Sequence, residues 1–171
     1  YNAVFIPIEK LTEGTVCTVL YARELINNNA PLLIANSDQI VDMNIADFIN
    51  DCSARQLDGS ILTFIDKDKD PKWSFAKIDE NNLVTEVKEK VAISEFATVG
   101  IYLYSKGCDF VNASIDMIIE NERVNGEFYT CPTYNYAIAD NAKIGLYNID
   151  FKQMNGIGTP EDLNAYLKVI K

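Results

Sequence analysis

The sequence predicts an α/β fold in which a mixed, mostly parallel sheet is flanked by helices. In the first half of the chain, short apolar runs typical of buried strands alternate with segments whose apolar residues repeat at helical spacing. A strand–helix–strand order of this kind indicates parallel strands joined by covering helices. The length of 171 residues and the apolar fraction of 48% suit a single domain over residues 1–171 with a core of its own.

The first half of the chain predicts three strands and two helices. In order, these are a strand at 3–8, a helix at 14–26, a strand at 31–35, a helix at 45–52 and a strand at 60–65. Thr12 is the candidate N-cap of the first helix, because a Thr hydroxyl can accept a hydrogen bond from the first helical turn. The continuous apolar run at 31–35 predicts a strand that is buried on both faces.

The second half predicts a hairpin, two further strands and three helices. A charged loop at 66–72 leads into hairpin strands at 73–78 and 83–87, followed by a strand at 97–104, helices at 111–119 and 128–139, and a strand at 143–149. The last helix has the clearest start, with Thr159 as N-cap and Pro160 at the first helical position. Its apolar residues at helical spacing predict a buried face, formed by Leu163, Tyr166, Leu167 and Ile170.

The charge and the His content exclude several classes of function. The chain has 15 Lys and Arg, 25 Asp and Glu and no His, which gives a net charge of −10. Without His, neither a Ser-His-Asp nor a Cys-His catalytic pair can form, and a His-ligated zinc site is excluded. The acid excess argues against nucleic acid as a partner, and the short apolar runs argue against a membrane span. The four Cys lack Cys-x-x-Cys spacing, which predicts reduced, mostly buried thiols of a cytoplasmic protein.

One candidate for metal binding follows from position alone, and it is Asp38. It lies three residues beyond the strand predicted at 31–35, and open parallel sheets bind ligands beyond the carboxyl ends of their strands. A carboxylate at this place can reach a Mg²⁺ ion that holds phosphate oxygens. The alternative is that Asp38 closes the turn Asn36-Ser37-Asp38-Gln39 through its side chain.

Four further segments each have a ligand-binding and a structural interpretation. Glu13-Gly14-Thr15 can offer free N–H groups to a ligand, or it can be an ordinary loop-to-helix junction. Glu89-Lys90 can hold a hydroxyl and a phosphate, or it can form a charged turn. Gly126-Glu127 precedes a predicted helix, where Glu complements the helix dipole without any ligand. The Gly-rich run at 156–159 matches neither the P-loop nor the G-x-G-x-x-G pattern.

Taken in chain order, these segments resemble the sugar-1-phosphate nucleotidyltransferases, which include glucose-1-phosphate thymidylyl-, uridylyl- and cytidylyltransferases. The matching stretches run nearly end to end, and they are TEGTVCTVLYARELI, PLLIANSDQIV, KWSFAKIDENNLVTEVKEK, ATVGIYLYSKG, VNGEFY and GIGTPEDLNAYL. GIGTPEDL and ATVGIYLY are the most specific of them. The resemblance implies a Rossmann-like arrangement of the mixed sheet and its helices.

The resemblance also implies that the partners are a nucleoside triphosphate and a sugar 1-phosphate, with Mg²⁺ as cofactor. An oxygen of the sugar phosphate attacks the α-phosphorus of the triphosphate, and pyrophosphate leaves. Positioning and charge neutralisation supply most of the rate, so a chain without His suffices. The implied role is nucleotide-sugar synthesis, of the kind that supplies cell-surface polysaccharide. The base, the phosphate acceptor and the oligomeric state, a homo-oligomer included, stay open.

The family's site residues fall on matching positions of this chain. Asp38 matches the metal-binding, catalytic Asp, and the residues implied to bind the nucleotide are Glu13, Gly14, Thr15 and Asn36. The residues implied to bind the sugar phosphate are Ser74, Glu89, Lys90, Gly100 and Glu127, with Lys90 also in a catalytic role. Ser74 stands where many members have Gly, and Val91 stands where Pro usually follows Glu-Lys, so a non-sugar phosphate also stays open.

Two departures from the family pattern bear on activity. The family's Gly-rich loop that ends in Arg, with Lys-Pro further on, does not occur here. The resemblance therefore implies an N-terminally incomplete fragment, inactive alone, that lacks the segment which cradles the triphosphate. The second metal-binding Asp, which commonly precedes Ile-Gly-Thr-Pro, is replaced by Gly156. Two alternatives follow: a non-catalytic subunit that binds sugar phosphate or nucleotide, and a metal-dependent glycosyltransferase, although Asn36 replaces the first acid of its usual Asp-x-Asp.

Overall fold

The computed structural model describes residues 3–170. Its α-helices are α1 (Thr15–Val19), α2 (Arg23–Ile26), α3 (Ile45–Ala54), α4 (Gly107–Ile119), α5 (Thr133–Ala139) and α6 (Pro160–Val169). Its strands are β1 (Leu32–Ala35), β2 (Gln39–Val41), β3 (Gly59–Ile65), β4 (Ser74–Ile78), β5 (Val84–Glu89), β6 (Phe96–Tyr104), β7 (Ile144–Ile149) and β8 (Met154–Gly156). No helix in this part of the chain combines the length and the apolar character that crossing a membrane requires.

Six strands form the central sheet in the order β5–β4–β6–β3–β7, with β1 as a further partner of β6. β1, β3 and β4 each run antiparallel to β6, and β7 runs parallel to β3. The predicted mixed α/β fold with flanking helices is confirmed. The strands β1, β3, β4 and β7 point in one direction, as a mostly parallel sheet requires. However, the pairings between described strands are mainly antiparallel, because β6 lies between β1 and β3.

The long strand β6 has two partners on one edge, and this divides the sheet. Its last four residues pair with β1, whereas its first two pair with β4. Gly100 lies between the two ladders with a φ of +85°, a conformation that residues with a side chain rarely adopt. The stretch at 98–100 therefore faces a gap between the carboxyl end of β1 and the beginning of β4.

Helices cover both faces of the sheet and bury a core on each. On one face α3 contributes Phe48, and on the other α4 and α5 contribute Phe110 and Tyr134, all fully buried. Neighbouring residues of β3 divide accordingly: Ile61 packs with the second core and Leu62 with the first, because side chains alternate along a strand. Burying each large apolar side chain stabilises the fold by about 1.5–3 kcal/mol.

The beginning of the chain differs from the prediction. The segment 3–8 is not a strand, and its side chains are exposed, with Phe5 90% exposed. No strand of the described chain pairs with it, so this apolar run has no ladder to hold an extended conformation. Thr12 does not cap α1 either. The N-cap is Gly14, and the Thr12 hydroxyl shares a hydrogen bond with the Thr18 hydroxyl instead.

Three helices are placed by the prediction but differ in extent or burial. The helix predicted at 14–26 is interrupted by a 3₁₀ turn at Leu20–Ala22, and the helix predicted at 128–139 begins only at Thr133. The start of α6 is confirmed, because the Thr159 side chain accepts a hydrogen bond from the Asp162 N–H and Pro160 follows it. The apolar face predicted to be buried is mostly exposed, with Leu167 41% exposed, because α6 packs mainly against the short strand β8.

Further strand details were not anticipated by the sequence patterns. β1 is not buried on both faces, because its residues alternate between half-buried and exposed. The small sheet of β2 and β8, which pairs Gln39 with Gly156, was not predicted.

All four Cys are free thiols as expected. Cys52 and Cys131 are buried, and the other two are half-buried.

Candidate functional site

The gap in the sheet opens into a crevice with a volume of about 650 Å³, a size that suits a small-molecule ligand. The floor of the crevice is formed by β6, through Thr98, Val99, Gly100 and Tyr102. One side, here named the Asp38 wall, consists of Asn36, Asp38, Gly156, Gly158 and Asp162. Another side, here named the Glu89 wall, consists of Ser74, Glu89, Tyr129 and Cys131.

The Asp38 wall is held against the floor by hydrogen bonds to β6. The Asn36 N–H donates to the Gly100 carbonyl at 3.2 Å, and the Gln39 side-chain amide donates to the Val99 carbonyl. These bonds satisfy carbonyls in the stretch of β6 where neither β1 nor β4 pairs. The φ of +85° at Gly100 disfavours a side chain there, and a Cβ would also displace the Asn36 side-chain amide. The turn that carries Asp38 is therefore fixed in place.

The Asp38 side chain is exposed and lines the crevice. Its carbonyl accepts a hydrogen bond from the Ile157 N–H at 2.8 Å, which joins the turn to the end of the β2–β8 sheet. A Cβ at Gly158 would lie 3.3 Å from Asp38 Oδ2, so the carboxylate faces the Gly-rich run. Gly156 also lines the crevice, and a Cβ there would meet nothing within 4 Å. Among residues 3–170, no three acidic, thiol or imidazole side chains cluster into a metal site.

Ser74 and Glu89 form a buried polar pair on the Glu89 wall. They lie opposite each other at the open ends of β4 and β5, and they are only 6% and 8% exposed. The Ser74 hydroxyl donates to Glu89 Oε2. Burial raises the pKa of Glu89 above its ordinary value of 4.5, whereas the hydrogen bond from Ser74 and the charge of Lys90 oppose this rise. The carboxylate keeps acceptor capacity for a hydroxyl of a ligand.

Lys90 follows this pair, but its side chain lies against Tyr129 and is not among those that line the crevice. Nζ donates to the Tyr129 hydroxyl at 2.9 Å and lies 4.7 Å from the centre of the ring. The hydrogen bond to Tyr129 is the main reason why the pKa of Lys90 is raised, and the charges of Glu89 and Glu127 contribute in the same direction. Glu127 itself is exposed and does not line the crevice.

The segment 13–15 docks α1 onto the residues that precede α5. The Phe128 N–H donates to the Glu13 carbonyl at 2.8 Å, and the Thr15 hydroxyl accepts from the Thr130 N–H at 3.0 Å. Gly14 has a φ of +114°, and a Cβ there would lie 2.6 Å from the Phe128 nitrogen. Gly14 is therefore required by a contact within the protein, and the loop owes its conformation to this docking.

The crevice brings together six of the predicted site residues, namely Thr15, Asn36, Asp38, Ser74, Glu89 and Gly100. The other four, Glu13, Gly14, Lys90 and Glu127, do not line it. The Glu13 carboxylate pairs with the Arg123 guanidinium at 2.5 Å, with the Glu13 side chain largely exposed. Glu13 is thus turned toward the surface and away from the crevice.

The sequence patterns missed the aromatic and thiol side chains of the crevice. Tyr102 and Cys131 are buried there, and burial raises the pKa of both groups well above their ordinary values. Thr98 and Tyr102 lie two positions before and after Gly100, and their hydroxyls share a hydrogen bond of 3.3 Å. Polar groups at alternate positions of an otherwise apolar strand are the signal that could have revealed this floor. Tyr129 is the last residue of the stretch VNGEFY, and no pattern predicted a role for it.

Comparison with known proteins adds evidence beyond the geometry. A family model described as Nucleotidyl transferase matches residues 3–163. The chain is similar to the structure of a nucleoside-diphosphate-sugar pyrophosphorylase from Vibrio cholerae RC9, with a TM-score of 0.77 and 22% identity over 94% of this chain and 67% of that chain. It is also similar to a UDP-glucose pyrophosphorylase complexed with UDP-glucose, with a TM-score of 0.73 and 17% identity over 94% of this chain and 64% of that chain.

These structural similarities concern the fold, because the sequence identities are low. The chain spans about two thirds of the length of either structure. No curated protein sequence matches it.

Proposed function

Since the chain belongs to the nucleotidyl transferase family, we propose that its crevice binds a sugar 1-phosphate beside a nucleoside triphosphate. The protein then transfers a nucleotidyl group between them and produces a nucleotide-sugar and pyrophosphate. The observation that carries the proposal is that the exposed Asp38 carboxylate and the buried Ser74–Glu89 pair line one crevice. The first suits phosphates that carry a cation, and the second suits the hydroxyls of a sugar.

The Glu89 wall is proposed to hold the sugar phosphate. The Glu89 carboxylate accepts hydrogen bonds from sugar hydroxyls, and Ser74 keeps the carboxylate oriented. Because the pair is buried before any ligand arrives, little reorganisation accompanies binding. Lys90 lies at the edge of this wall, where its ammonium can approach the phosphate.

The Asp38 wall and Thr15 are proposed to hold the nucleoside triphosphate. Asn36 offers a side-chain amide beside the floor, and Thr15 offers a hydroxyl at the start of α1. Glu13 and Gly14 act through the conformation of this loop, since they contact the segment at 127–130 and do not line the crevice.

The residues present fit a Mg²⁺ ion that is held partly by substrate phosphates. Such an ion usually takes one or two protein carboxylates and completes its shell with phosphate oxygens and water. Asp38 would supply one carboxylate, and Asp162 is the other acid on the same wall. The charged side chains that line the crevice are Asp38, Lys72, Glu89 and Asp162. Without a cation, this excess of acid would repel two anionic substrates. When bound, Mg²⁺ supplies charge neutralisation for the phosphates.

The chain's own residues act in this reaction by orientation. One P–O bond forms between the sugar phosphate and the α-phosphorus, and the bond from the α-phosphorus to pyrophosphate breaks. A phosphate monoester carries about −1.5 to −2 charges at pH 7, so no base has to remove a proton from it. The absence of His from the sequence is compatible with this chemistry. Holding both phosphates in line is the contribution expected from the two walls.

The test is calorimetric titration of the chain with α-D-glucose 1-phosphate, and separately with each nucleoside triphosphate in the presence and absence of Mg²⁺. Asp38→Asn is expected to remove most of the Mg²⁺ dependence of nucleotide binding. The matched control is Asp42→Asn, an exposed acid four residues away that does not line the crevice. Glu89→Gln is expected to weaken glucose 1-phosphate about tenfold, since it loses a charge-assisted hydrogen bond.

Equal effects of Asp38→Asn and Asp42→Asn would contradict the assigned metal ligand. Absence of binding by every triphosphate and by glucose 1-phosphate would contradict the proposed function as a whole. Pyrophosphate release in the presence of both substrates then separates catalysis from binding alone.

A non-catalytic binding subunit is the second candidate function, and Gly156 is the observation that favours it. Gly156, which pairs with Gln39 next to Asp38, brings no carboxylate to this end of the β2–β8 ladder, so Asp162 is the remaining acid on the Asp38 wall. The structure has open space for a side chain there, so Gly156→Asp is tolerated sterically. If the protein is catalytic and its metal site is weak, this variant is expected to increase Mg²⁺ affinity. A binding subunit would instead bind its ligand independently of Mg²⁺ in both forms and yield no pyrophosphate.

A further inference from the structure

The backbone of Lys90 is held firmly, whereas its long side chain depends on one neighbour. The Lys90 N–H donates to the Trp73 carbonyl at 3.1 Å, and the Asn135 side chain makes two hydrogen bonds of 2.9 Å to the backbone of Val87, in the strand that ends just before Lys90. These bonds fix where the Lys90 side chain begins. Its four rotatable bonds still allow the ammonium to reach many positions.

Tyr129 restricts those positions through two contacts with the same ammonium. The Tyr129 hydroxyl accepts a hydrogen bond from Nζ at 2.9 Å, and the ring lies 4.7 Å from Nζ, within the range of a cation–π interaction. Tyr129 is itself fixed on both sides, because the Phe128 N–H binds the Glu13 carbonyl and the Thr130 N–H binds the Thr15 hydroxyl. The ring also lines the crevice, so it holds the ammonium at the crevice edge.

The charges around Lys90 indicate that the neutral partner Tyr129 prevents an ion pair between the ammonium and a nearby carboxylate. The groups that face the ammonium are the Tyr129 hydroxyl and the carboxylates of Glu89 and Glu127, both of which act on its charge. In the described chain, neither carboxylate lies within 4.0 Å of Nζ. A carboxylate partner would cancel the charge of the ammonium, whereas a hydroxyl orients the ammonium and leaves its charge available.

We propose that Tyr129 is a positioning residue that keeps the Lys90 ammonium at the crevice edge, away from Glu89 and Glu127, for the phosphate group of a sugar phosphate. The choice of ligand rests on the proposed function, but the pairing of Tyr129 with Lys90 does not. The hydroxyl of Tyr129 is the group that orients the ammonium. Phe at this position would keep the ring and lose only the hydroxyl. Without the hydroxyl, the ammonium is expected to turn toward one of the two carboxylates.

The first experiment measures the acetylation rate of each lysine against pH, by mass spectrometry on the whole chain. In Tyr129→Phe, the Lys90 rate at pH 8 is expected to change by about threefold or more, the scale of a partly exposed charged contact. A decrease is expected, because a carboxylate captures the ammonium, whereas an increase would indicate a freed amine and would contradict that capture. Lys72, which lies beside Trp73 and pairs with Asp70, is the internal reference and keeps its rate. Tyr21→Phe, an exposed tyrosine outside the crevice, is the matched variant.

The second experiment measures the affinity for α-D-glucose 1-phosphate in the same variants. Tyr129→Phe is expected to raise the dissociation constant about three- to tenfold, and Tyr21→Phe is expected to leave it unchanged. An unchanged Lys90 acetylation profile in Tyr129→Phe overturns the proposal. A changed profile with unchanged affinity overturns the positioning role as well.

If the unaltered chain binds no glucose 1-phosphate, the proposed function fails, and with it the assignment of this ligand. The acetylation profile then still decides whether Tyr129 positions Lys90. A loss of overall fold is monitored by circular dichroism, and Tyr129→Leu, which removes ring and hydroxyl together, is expected to show at least the effect of Tyr129→Phe on the Lys90 profile.

Discussion

The two walls of the crevice differ in how much of their structure exists before a ligand binds. On the Glu89 wall, the carboxylate is buried, hydrogen-bonded to Ser74 and followed by a lysine whose ammonium is held by Tyr129. On the Asp38 wall, the backbone is fixed by bonds to β6, but the carboxylate is exposed and lies beside Gly158 of the Gly-rich run. A pre-organised wall selects its ligand, whereas an open wall needs phosphates and a cation to complete it.

The largest effect is expected at Gly100, the residue of β6 to which the Asp38 wall is hydrogen-bonded. Gly100→Ala forces a side chain into a φ of +85° and into the Asn36 amide, so it is expected to lower the free energy of unfolding by about 2 kcal/mol or more. Gly156→Ala, on the open wall, meets no atom and is expected to change it by less than about 0.5 kcal/mol. Urea denaturation of both variants checks this, and equal losses of stability would mean that a side chain at position 100 causes no strain.

The next effect concerns the donor on the pre-organised wall. Ser74→Ala leaves the Glu89 carboxylate buried without its donor, which is expected to lower the free energy of unfolding by about 1–2 kcal/mol at pH 7. Ser37→Ala, at an exposed position of the turn before Asp38, is the matched control and stays within about 0.5 kcal/mol. If both serines proved equally dispensable, the comparison between the walls would lose its main support.

A smaller effect follows from the pKa of Glu89, which burial raises in the folded protein above the ordinary value of 4.5. The folded state therefore binds this proton more tightly than the unfolded state, and the ionised carboxylate lowers stability as pH rises from 4.5 through the folded-state pKa. Glu89→Gln removes this loss, so at pH 7 it is expected to be more stable than the unaltered protein by about 1 kcal/mol or less.

Thermal unfolding between pH 4 and pH 8 measures this difference, which is expected to shrink as the pH falls below the ordinary value of 4.5. Glu80→Gln, in the exposed hairpin turn, serves as the control. A stability difference for Glu89→Gln that did not depend on pH would show that packing, and not ionisation, is responsible.

The smallest effect on stability is expected on the open wall. Asp38→Asn changes an exposed carboxylate whose side chain is not required by a buried contact, so its free energy of unfolding is expected to change by less than about 0.5 kcal/mol. The effect of Asp38→Asn is expected only on Mg²⁺-dependent nucleotide binding, which the calorimetric titration above measures. A large loss of stability would mean that Asp38 has a structural role in the turn.

Local patterns predicted the parts of the site that depend on strand ends. Asp38 and Glu89 lie in the crevice because strands end just before or at them, and the sequence marks those ends by a change from apolar to polar residues. The hairpin that aligns Ser74 with Glu89 was also recognisable from its turn. The start of α6 was legible because capping is decided by adjacent residues.

Local patterns could not predict contacts between distant segments or the covering of an apolar face. Lys90 and Tyr129 are 39 positions apart, and Glu13 and Arg123 are 110 positions apart, so only the fold brings each pair together. Apolar periodicity identified one face of α6 but not what packs on it, and that face is largely exposed at Leu167. The segment 3–8 has the composition of a strand, but a strand also needs a partner.

The central claim is that a sugar phosphate binds at the Glu89 wall, and backbone chemical-shift changes on titration with α-D-glucose 1-phosphate test it most directly. The account predicts that the largest shifts occur at Ser74, Glu89, Lys90 and Tyr129, with smaller shifts on the Asp38 wall. Shifts that concentrate instead at the neighbouring depression formed by Asp66, Asp68, Asn148 and Asp150, or that are absent throughout, would contradict it.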